Sequence, residues 1–522
     1  MTDNLSISQG HEKVDWTQKI GLTLAGFGIL VLLISWGGVA LDATIFLPLS
    51  MFAILVGTAI YGHRSYMKIP AGIKNNSVYF NSLTNKGAIG WVVAIVLTGF
   101  YVFLYKYPTY LGYQAGVDGA NAGLIALFDP LSIWINGNPA SQWFVYGTIY
   151  TLVILSLGIK FIYKYRHNRY QQIRTWSVMG AQLVMAYTIP QILAALNYND
   201  ARDEAGKYIG YYDTDIKNIW PLDYDFFQSW HLDAMQQSAY QPVGMIFLVM
   251  GIALAVIGVP VITYFFGKRW YCSWVCGCGG LAETAGDPFR HLSDKSTNAW
   301  FIERWMIHGV MVFVVIMTGL VLADYLWDFK FSETINRTLL VGIVTAIIGG
   351  IILIQRKKSK AKKIPMRKIL VIAGVVAASF AIYILYPQIV EGASSNYKVS
   401  TNSIKSWYGF FIGATFSGII GVGFYPLMGN RVWCRFGCPL AGYLGLVQRF
   451  KSKFRITTNG GQCISCGNCS TYCEQGIDVR AYAQRGQNIV RSSCVGCGIC
   501  SAVCPRGVLK LENGPEKGRF ND

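Results

Sequence analysis

Apolar runs long enough to cross a bilayer dominate the chain, and they limit its fold before any other feature does. A helix needs about 20 mostly apolar residues to span the hydrocarbon core. Ten stretches meet or approach that length: residues 20–40, 44–61, 88–105, 142–160, 176–197, 242–266, 304–326, 338–355, 369–387 and 408–428. The second is short and the tenth is rich in glycine. Charged residues make up 14% of the chain and hydrophobic residues 53%, with mean hydropathy +0.36. A soluble domain carries about 25% charged residues, so a soluble enzyme is excluded, as is a disordered or fibrous chain. The expected fold class is an α-helical polytopic membrane protein of about ten transmembrane helices. Met1–Lys19 has no cleavable-signal pattern, and the first span is long enough to stay as an anchor.

The net charge of +18 does not call for nucleic acid, because membrane proteins gather Lys and Arg in their cytoplasmic loops. Lys160, Lys164, Arg166, Arg169 and Arg174 share one loop without an acid, and residues 356–368 carry eight Lys/Arg and no acid. Tyr107–Ser141 has no Lys or Arg, and residues 198–240 hold eight Asp/Glu against three Lys/Arg. The alternation fits ten spans with both termini inside. The basic runs are read as topology signals, and lipid is the expected surrounding.

All 13 cysteines lie between Cys272 and Cys504. That clustering, on the side read as cytoplasmic and reducing, favours metal sites over disulfides. Residues 463–473 place Cys463, Cys466, Cys469 and Cys473 at C-x2-C-x2-C-x3-C spacing. Residues 494–505 repeat it with Cys494, Cys497, Cys500 and Cys504, followed by Pro505. This is the bacterial ferredoxin run, in which the fourth Cys serves the other run's cluster. One [4Fe–4S] cluster is therefore expected on Cys463, Cys466, Cys469 and Cys504, and another on Cys494, Cys497, Cys500 and Cys473, with iron as the metal in both. Gly467 and Gly498 let the backbone wrap close to inorganic sulfide. Glu474 stands where the second run has Pro505. It removes no ligand, but it alters the local turn or the potential.

A second repeat lies at the ends of apolar spans. Residues 267–280 (GKRWYCSWVCGCGG) and 429–442 (GNRVWCRFGCPLAG) align at one offset, pairing Gly267 with Gly429, Arg269 with Arg431, Cys272 with Cys434, Cys276 with Cys438, and Gly280 with Gly442. Duplicated units related by an axis along the membrane normal are the expected arrangement. C-x3-C is an i, i+4 spacing that sets both thiols on one face of a helix. Two copies meeting at the axis offer four thiols for a third [4Fe–4S] cluster. Thiol pairs binding Cu(I) and redox-active dithiols remain alternatives, with Cys278 a spare thiol. Arg269 and Arg431 are expected to snorkel at headgroup level or to offset cluster charge.

Together, the C-x3-C-P pattern after a span, its second copy and the two-cluster tail resemble the polyferredoxin membrane proteins typified by NosR, NapH-type quinol dehydrogenase subunits and the cupric reductase CcoG. The resemblance covers about residues 242–510. It implies electron transfer at a bacterial inner membrane between the quinone pool and a partner reductase or its copper centre. The family's paired thiols fall on Cys272/Cys276 and Cys434/Cys438, with Gly277 replacing Pro after the first pair and Pro439 kept after the second. The chain divides into an N-terminal membrane region (1–241), the duplicated membrane region (242–450) and a cytoplasmic α+β ferredoxin-like module (451–522). Gly413–Ala414–Thr415 echoes a flavinylation motif without its Ser and is read as packing.

A quinol site needs a proton acceptor near a cluster, and His308, early in the seventh span, is the candidate. With only six His, most of them in loops, haem is not expected. The acidic, aromatic loop 198–240 is read as a cover over the bundle, with docking of a basic redox partner as the alternative. No P-loop, G-x-S-x-G or dinucleotide fingerprint is present. The functions left open are a quinol-linked oxidoreductase component, a copper-handling assembly factor, and a redox-sensing membrane protein.

Overall fold

The structure, a computed structural model, describes residues 14–67, 87–114, 120–198, 219–228, 232–233, 235, 241–327 and 401–513. The expected spans 338–355 and 369–387 and the basic run 356–368 lie outside these residues. Two compact units are present. The larger comprises Met1–Phe226, Trp230–Val314 and Phe411–Asp522; the smaller comprises Phe227–Ser229 and Val315–Phe410.

Among the described residues, six helices are long and apolar enough to cross a membrane: α1 (Trp16–Trp36), α2 (Ala43–Met67), α3 (Ala88–Lys106), a fourth at Gln142–Lys164, a fifth at Gly244–Phe266 and a sixth at Thr297–Leu326. Each overlaps an expected span, though α2 runs six residues past the expected end and the sixth begins seven residues before the expected start. Between α3 and the fourth lies α4 (Gly123–Asn136), in a stretch read from sequence only as a loop lacking basic residues. It is too short to span, yet Leu124, Ile125, Leu127 and Phe128 are buried. Asp129 fastens it by accepting from the Asn121 side chain at 2.8 Å and the Ala140 amide at 2.8 Å.

The Gln142–Lys164 helix is α5. The next, α6 (Arg169–Gly180), runs through a π-helical stretch (Ala181–Thr188) into Ile189–Tyr198, so the expected span 176–197 falls inside a longer helical run. The fifth long helix, Gly244–Phe266, is α7; α8 is Gly277–Thr284 and α9 is Thr297–Trp327. The tenth expected span, 408–428, is not one regular helix. It is π-helical over Gly409–Ile420, turns at 421–424, and resumes as Tyr425–Met428. Glycines at 409, 413, 418, 421 and 423 weaken regular helix there. Finally, α10 is Pro439–Lys451.

Asp15 begins α1 with a capping box to Gln18 and also pairs with Arg64 near the end of α2 at 2.6 Å. Ser50 of α2 donates to the Gly28 carbonyl of α1 at 2.8 Å. These contacts set the two helices antiparallel and side by side. The described part of the loop 198–240 belonging to the larger unit packs Ile219, Trp220 and Leu222 on the core around the motif cysteines, as a cover would. Gly413 faces Tyr224, which is a packing role.

The tail is a two-stranded antiparallel sheet, β1 (Phe454–Thr458) and β2 (Leu509–Asn513), with Ile456 opposite Leu511. The two cysteine loops lie between the strands, and each leads into a single helical turn, Asn468–Thr471 or Ile499–Ala502. In the smaller unit, Lys405 donates to the Gln228 side chain.

Candidate functional site

Both copies of the membrane-edge repeat use the same backbone device. The chain leaves its span at Gly267 (φ +67°) in one copy and at Gly429 (φ +92°) in the other. Positive φ is disfavoured for any side-chain-bearing residue. A Cβ at Gly267 would also lie 2.7 Å from Phe454, and one at Gly429 would strike Ser293. The glycines therefore serve both the turn and the close approach of the following segment.

The thiol pairs are not on one helical face, contrary to the i, i+4 expectation. Cys272 ends the short helix Arg269–Cys272, whereas Cys276 is extended (φ −64°, ψ 125°) and caps the start of α8. Cys434 lies in the π turn Trp433–Gly437, whereas Cys438 is extended (φ −78°, ψ 114°) and caps α10, its sulfur accepting from the Ala441 amide at 3.4 Å. The helix breaks because the second Cys is an N-cap. Pro439 occupies the first helical position, where a missing N–H costs nothing, and Gly277 takes the same position in the first copy. Their difference therefore leaves the motif intact. A helix N-terminus faces each second thiol, yet burial and the neighbouring thiols push Cys438 well above the ordinary thiol value.

The fold brings the four thiols together. Cys272, Cys276, Cys434 and Cys438 are buried in one core with Tyr271, Trp433 and Leu444. Each lies within electrostatic reach of its counterparts in the other copy. Cys278 joins them, sharing a hydrogen bond with Cys276. Burial pushes the Cys272 thiol up to about 12, against the pull of Lys268 and Arg431.

In the tail, one cavity is lined by Cys463, Cys466, Cys469 and Cys504, and a second by Cys473, Cys494, Cys497 and Cys500. These are the two cross-run sets expected from spacing. All eight thiols are free. Gly467 and Gly498 adopt φ +80° and +75°. Burial raises Cys469 to about 12 and Cys494 to about 11. Soft, closely spaced thiols without disulfides fit an iron–sulfur cluster, which would deprotonate them on binding.

The two tail sites differ in position. The loop bearing Cys494–Cys500 is gripped by the membrane part. Ser273 donates to the Val495 carbonyl, Tyr170 to Gly496 and Gln171 to Cys497, each at 2.8 Å. Gln448 donates to the carbonyls of Arg491 and Cys494 at 2.8 Å each. The other site faces outward, with Cys466 exposed. The order in space is therefore edge thiols, inner tail site, outer tail site.

A buried ion-pair network joins the first two. Glu283 of α8 pairs with Arg174 of α6, with Arg431 at 2.5 Å and with Arg290 at 3.1 Å. Glu474, next to Cys473, pairs with Arg290 at 2.5 Å and Arg431 at 3.0 Å. Asp287 pairs with Lys164 at 2.5 Å and Arg290 at 2.7 Å. Four cations face three carboxylates, leaving one positive charge beside the thiols. Burial raises Glu283, but Arg174, Arg290 and Arg431 outweigh it and hold the carboxyl down at about 2. Glu283, Glu474 and Cys497 also lie within 4.8 Å of one another. Both carboxylates are already occupied by guanidiniums, so this trio is part of the network rather than a metal site.

Arg431 is accordingly no snorkelling residue. It is 1% exposed, and its guanidinium donates to the Cys434 sulfur at 3.6 Å and the Cys272 carbonyl at 3.2 Å. Arg269, its counterpart, is half-buried, lies over the Phe454 ring at 4.8 Å and donates to Asn513 at 3.0 Å. Lys164, partly buried, and Arg174, fully buried, both read as topology charges, are also partners in the network. Sequence reading missed Glu283, Asp287 and Arg290. The one local signal for the network was Glu474 in the place of proline.

His308 lies on α9, its Nδ1 2.6 Å from the Arg304 carbonyl. That partner assigns the ring proton to Nδ1 and leaves Nε2 as an acceptor. His308 lines a cavity of about 500 Å³ whose wall includes Cys434.

Sequence families agree with this geometry. The 4Fe-4S binding domain family matches twice, at residues 247–296 and 409–457, and each match contains one C-x3-C pair. The 4Fe-4S dicluster domain family matches residues 455–505. A protein of Escherichia coli (strain K12) named for electron transport, YccM, is 38% identical over 50 residues, covering 10% of this chain and 14% of that relative. No solved structure matches. The chain therefore carries cysteine sets for [4Fe–4S] clusters, alongside helices long and apolar enough to cross a membrane.

Proposed function

We propose that this protein is a membrane-bound electron-transfer component that moves electrons between the quinol pool and a partner redox protein. The observation that carries the reading is the succession of three cysteine quartets. Cys272, Cys276, Cys434 and Cys438 would hold a third [4Fe–4S] cluster at the membrane edge. Cys473, Cys494, Cys497 and Cys500 hold the inner tail cluster, and Cys463, Cys466, Cys469 and Cys504 the outer one. Clusters of this kind take up and release one electron at a time. A quinol gives up two electrons and two protons, and His308, with a free Nε2 in a cavity reaching Cys434, is placed to accept a proton. The outward site around Cys466 suits exchange with a soluble partner. The clustered, paired basic residues favour the cytoplasmic side of a bacterial inner membrane for the tail.

Anaerobic purification with iron and sulfide quantitation tests this reading. About twelve iron per chain supports three clusters, by four iron per thiolate quartet. About eight iron, with Cu(I) bound stoichiometrically and lost in Cys272→Ser, would instead support the copper-handling reading. Re-reduction of the clusters by a quinol analogue tests the donor directly.

A further inference from the structure

A quinol ring is neutral and makes no use of the charge in the cavity beside His308. Five arginines (304, 435, 449, 485 and 491) line that cavity against two carboxylates, Glu303 and Asp478. Glu303 is taken by Arg435 at 2.6 Å. Asp478 accepts from the Ser470 hydroxyl at 2.7 Å and caps the helix Val479–Gln484. Among the described residues no carboxylate pairs with Arg304, Arg449 or Arg491. Arg304 and Arg491 both lie over the Trp300 ring, at 5.1 and 5.4 Å, so one indole holds two unneutralised guanidiniums at the cavity wall.

An independent observation comes from Gln475. It is 2% exposed and sits between this cavity and the inner tail site, lining both, yet neither its amide oxygen nor its nitrogen has a hydrogen-bond partner. Burying an amide with neither atom paired is destabilising. A ligand that satisfies both atoms accounts for its presence.

We propose that this cavity binds a phosphate-bearing ligand. The guanidiniums of Arg304, Arg449 and Arg491 take the phosphate, and the Gln475 amide pairs with a neutral polar group of the same molecule. Planar guanidiniums match phosphate geometry. The phosphate can come from an anionic phospholipid headgroup or from a water-soluble mononucleotide. The site lies where α9 enters its apolar run, with Trp300 and Trp305 exposed, a position suited to a headgroup. The proposal goes beyond the electron-transfer reading and does not depend on it.

The test uses the full chain, purified with its clusters and exchanged into phosphatidylcholine vesicles with or without phosphatidylglycerol. A parallel arm in detergent offers flavin mononucleotide and inorganic phosphate. About one molecule of phosphatidylglycerol, or of flavin mononucleotide, retained per chain supports the proposal and identifies the source. Arg304→Gln and Arg491→Gln should each weaken retention about tenfold, the equivalent of one charge-assisted contact. Gln475→Leu should weaken retention while raising the melting temperature of the ligand-free protein, a combination that a purely structural glutamine would not give. Lys510→Gln, at an exposed lysine, should change nothing. Retention of none of the probes, or equal retention in the arginine variants and Lys510→Gln, overturns the proposal. Iron content measured on every variant separates ligand loss from misfolding, and quinol-driven reduction is read separately.

Discussion

Arg431 and Glu474 meet at 3.0 Å with both side chains shut away from solvent. Arg431 also touches the sulfur of Cys434, and Glu474 directly follows Cys473. One ion pair thus spans the step from the edge thiols to the inner tail site. Such a pair adds little net stability over an apolar substitute, but removing one partner strands a buried charge at a cost of about 3–5 kcal/mol. The network fixes two redox sites relative to each other, and that is where its loss should register.

Glu474→Gln should destabilise the docked tail by about 3 kcal/mol, because Arg290 and Arg431 both lose a carboxylate. Glu474→Pro, which makes the first run resemble the second, should be at least as harmful. Chemical denaturation followed by cluster absorbance reads the effect. Unchanged midpoints in both variants would contradict the role given to this residue.

Acid should act through Glu283. Its folded-state value of about 2 lies below the ordinary 4.5. Its contribution is therefore complete above about pH 4.5 and is lost as the pH falls toward 2. Iron-free wild type should lose stability through that window, and Glu283→Gln should be weaker at neutral pH but flatter below 4.5. Far-ultraviolet circular dichroism against pH on both proteins, stripped of iron so that acid-labile clusters do not contribute, makes the comparison.

The crossed ligand sets make an asymmetric prediction. Cys504→Ser should remove the outer cluster, and Cys473→Ser the inner one, each lowering iron by about four per chain. Electron paramagnetic resonance should show Cys504→Ser grouped with Cys466→Ser, and Cys473→Ser with Cys497→Ser. Grouping by run, with Cys473 alongside Cys466, would refute the assignment.

His308→Ala should slow quinol-driven cluster reduction about a hundredfold, within the usual range for a lost proton acceptor. Reduction by dithionite should stay at the wild-type rate. Equal rates with quinol in both proteins would remove His308 from the reaction.

The cysteine sets were legible because their spacing is local and repeated. Long spans were legible because their composition alone defines them. The edge motif was read less well. C-x3-C spacing suggests one helical face, but Pro439 already marks Cys438 as a cap, and Gly277 hides the same cap in the first copy. The network escaped because its members come from four separated segments, and a basic residue beside a span reads locally as a topology signal. Only the fold shows Arg174 and Arg431 turned inward to meet Glu283. The helix α4 was missed because its apolar run is too short to resemble a span.

Gly496 gives the tail a single way to seat. A Cβ there would lie 2.6 Å from the Cβ of Arg269. The matching place in the sister loop holds Ser465, also at positive φ, 58°. The two loops are near-copies in sequence, but only the one without a side chain at this place can press into the socket. A reversed insertion, exchanging which cluster faces outward, is thereby opposed by the hydroxymethyl group of Ser465.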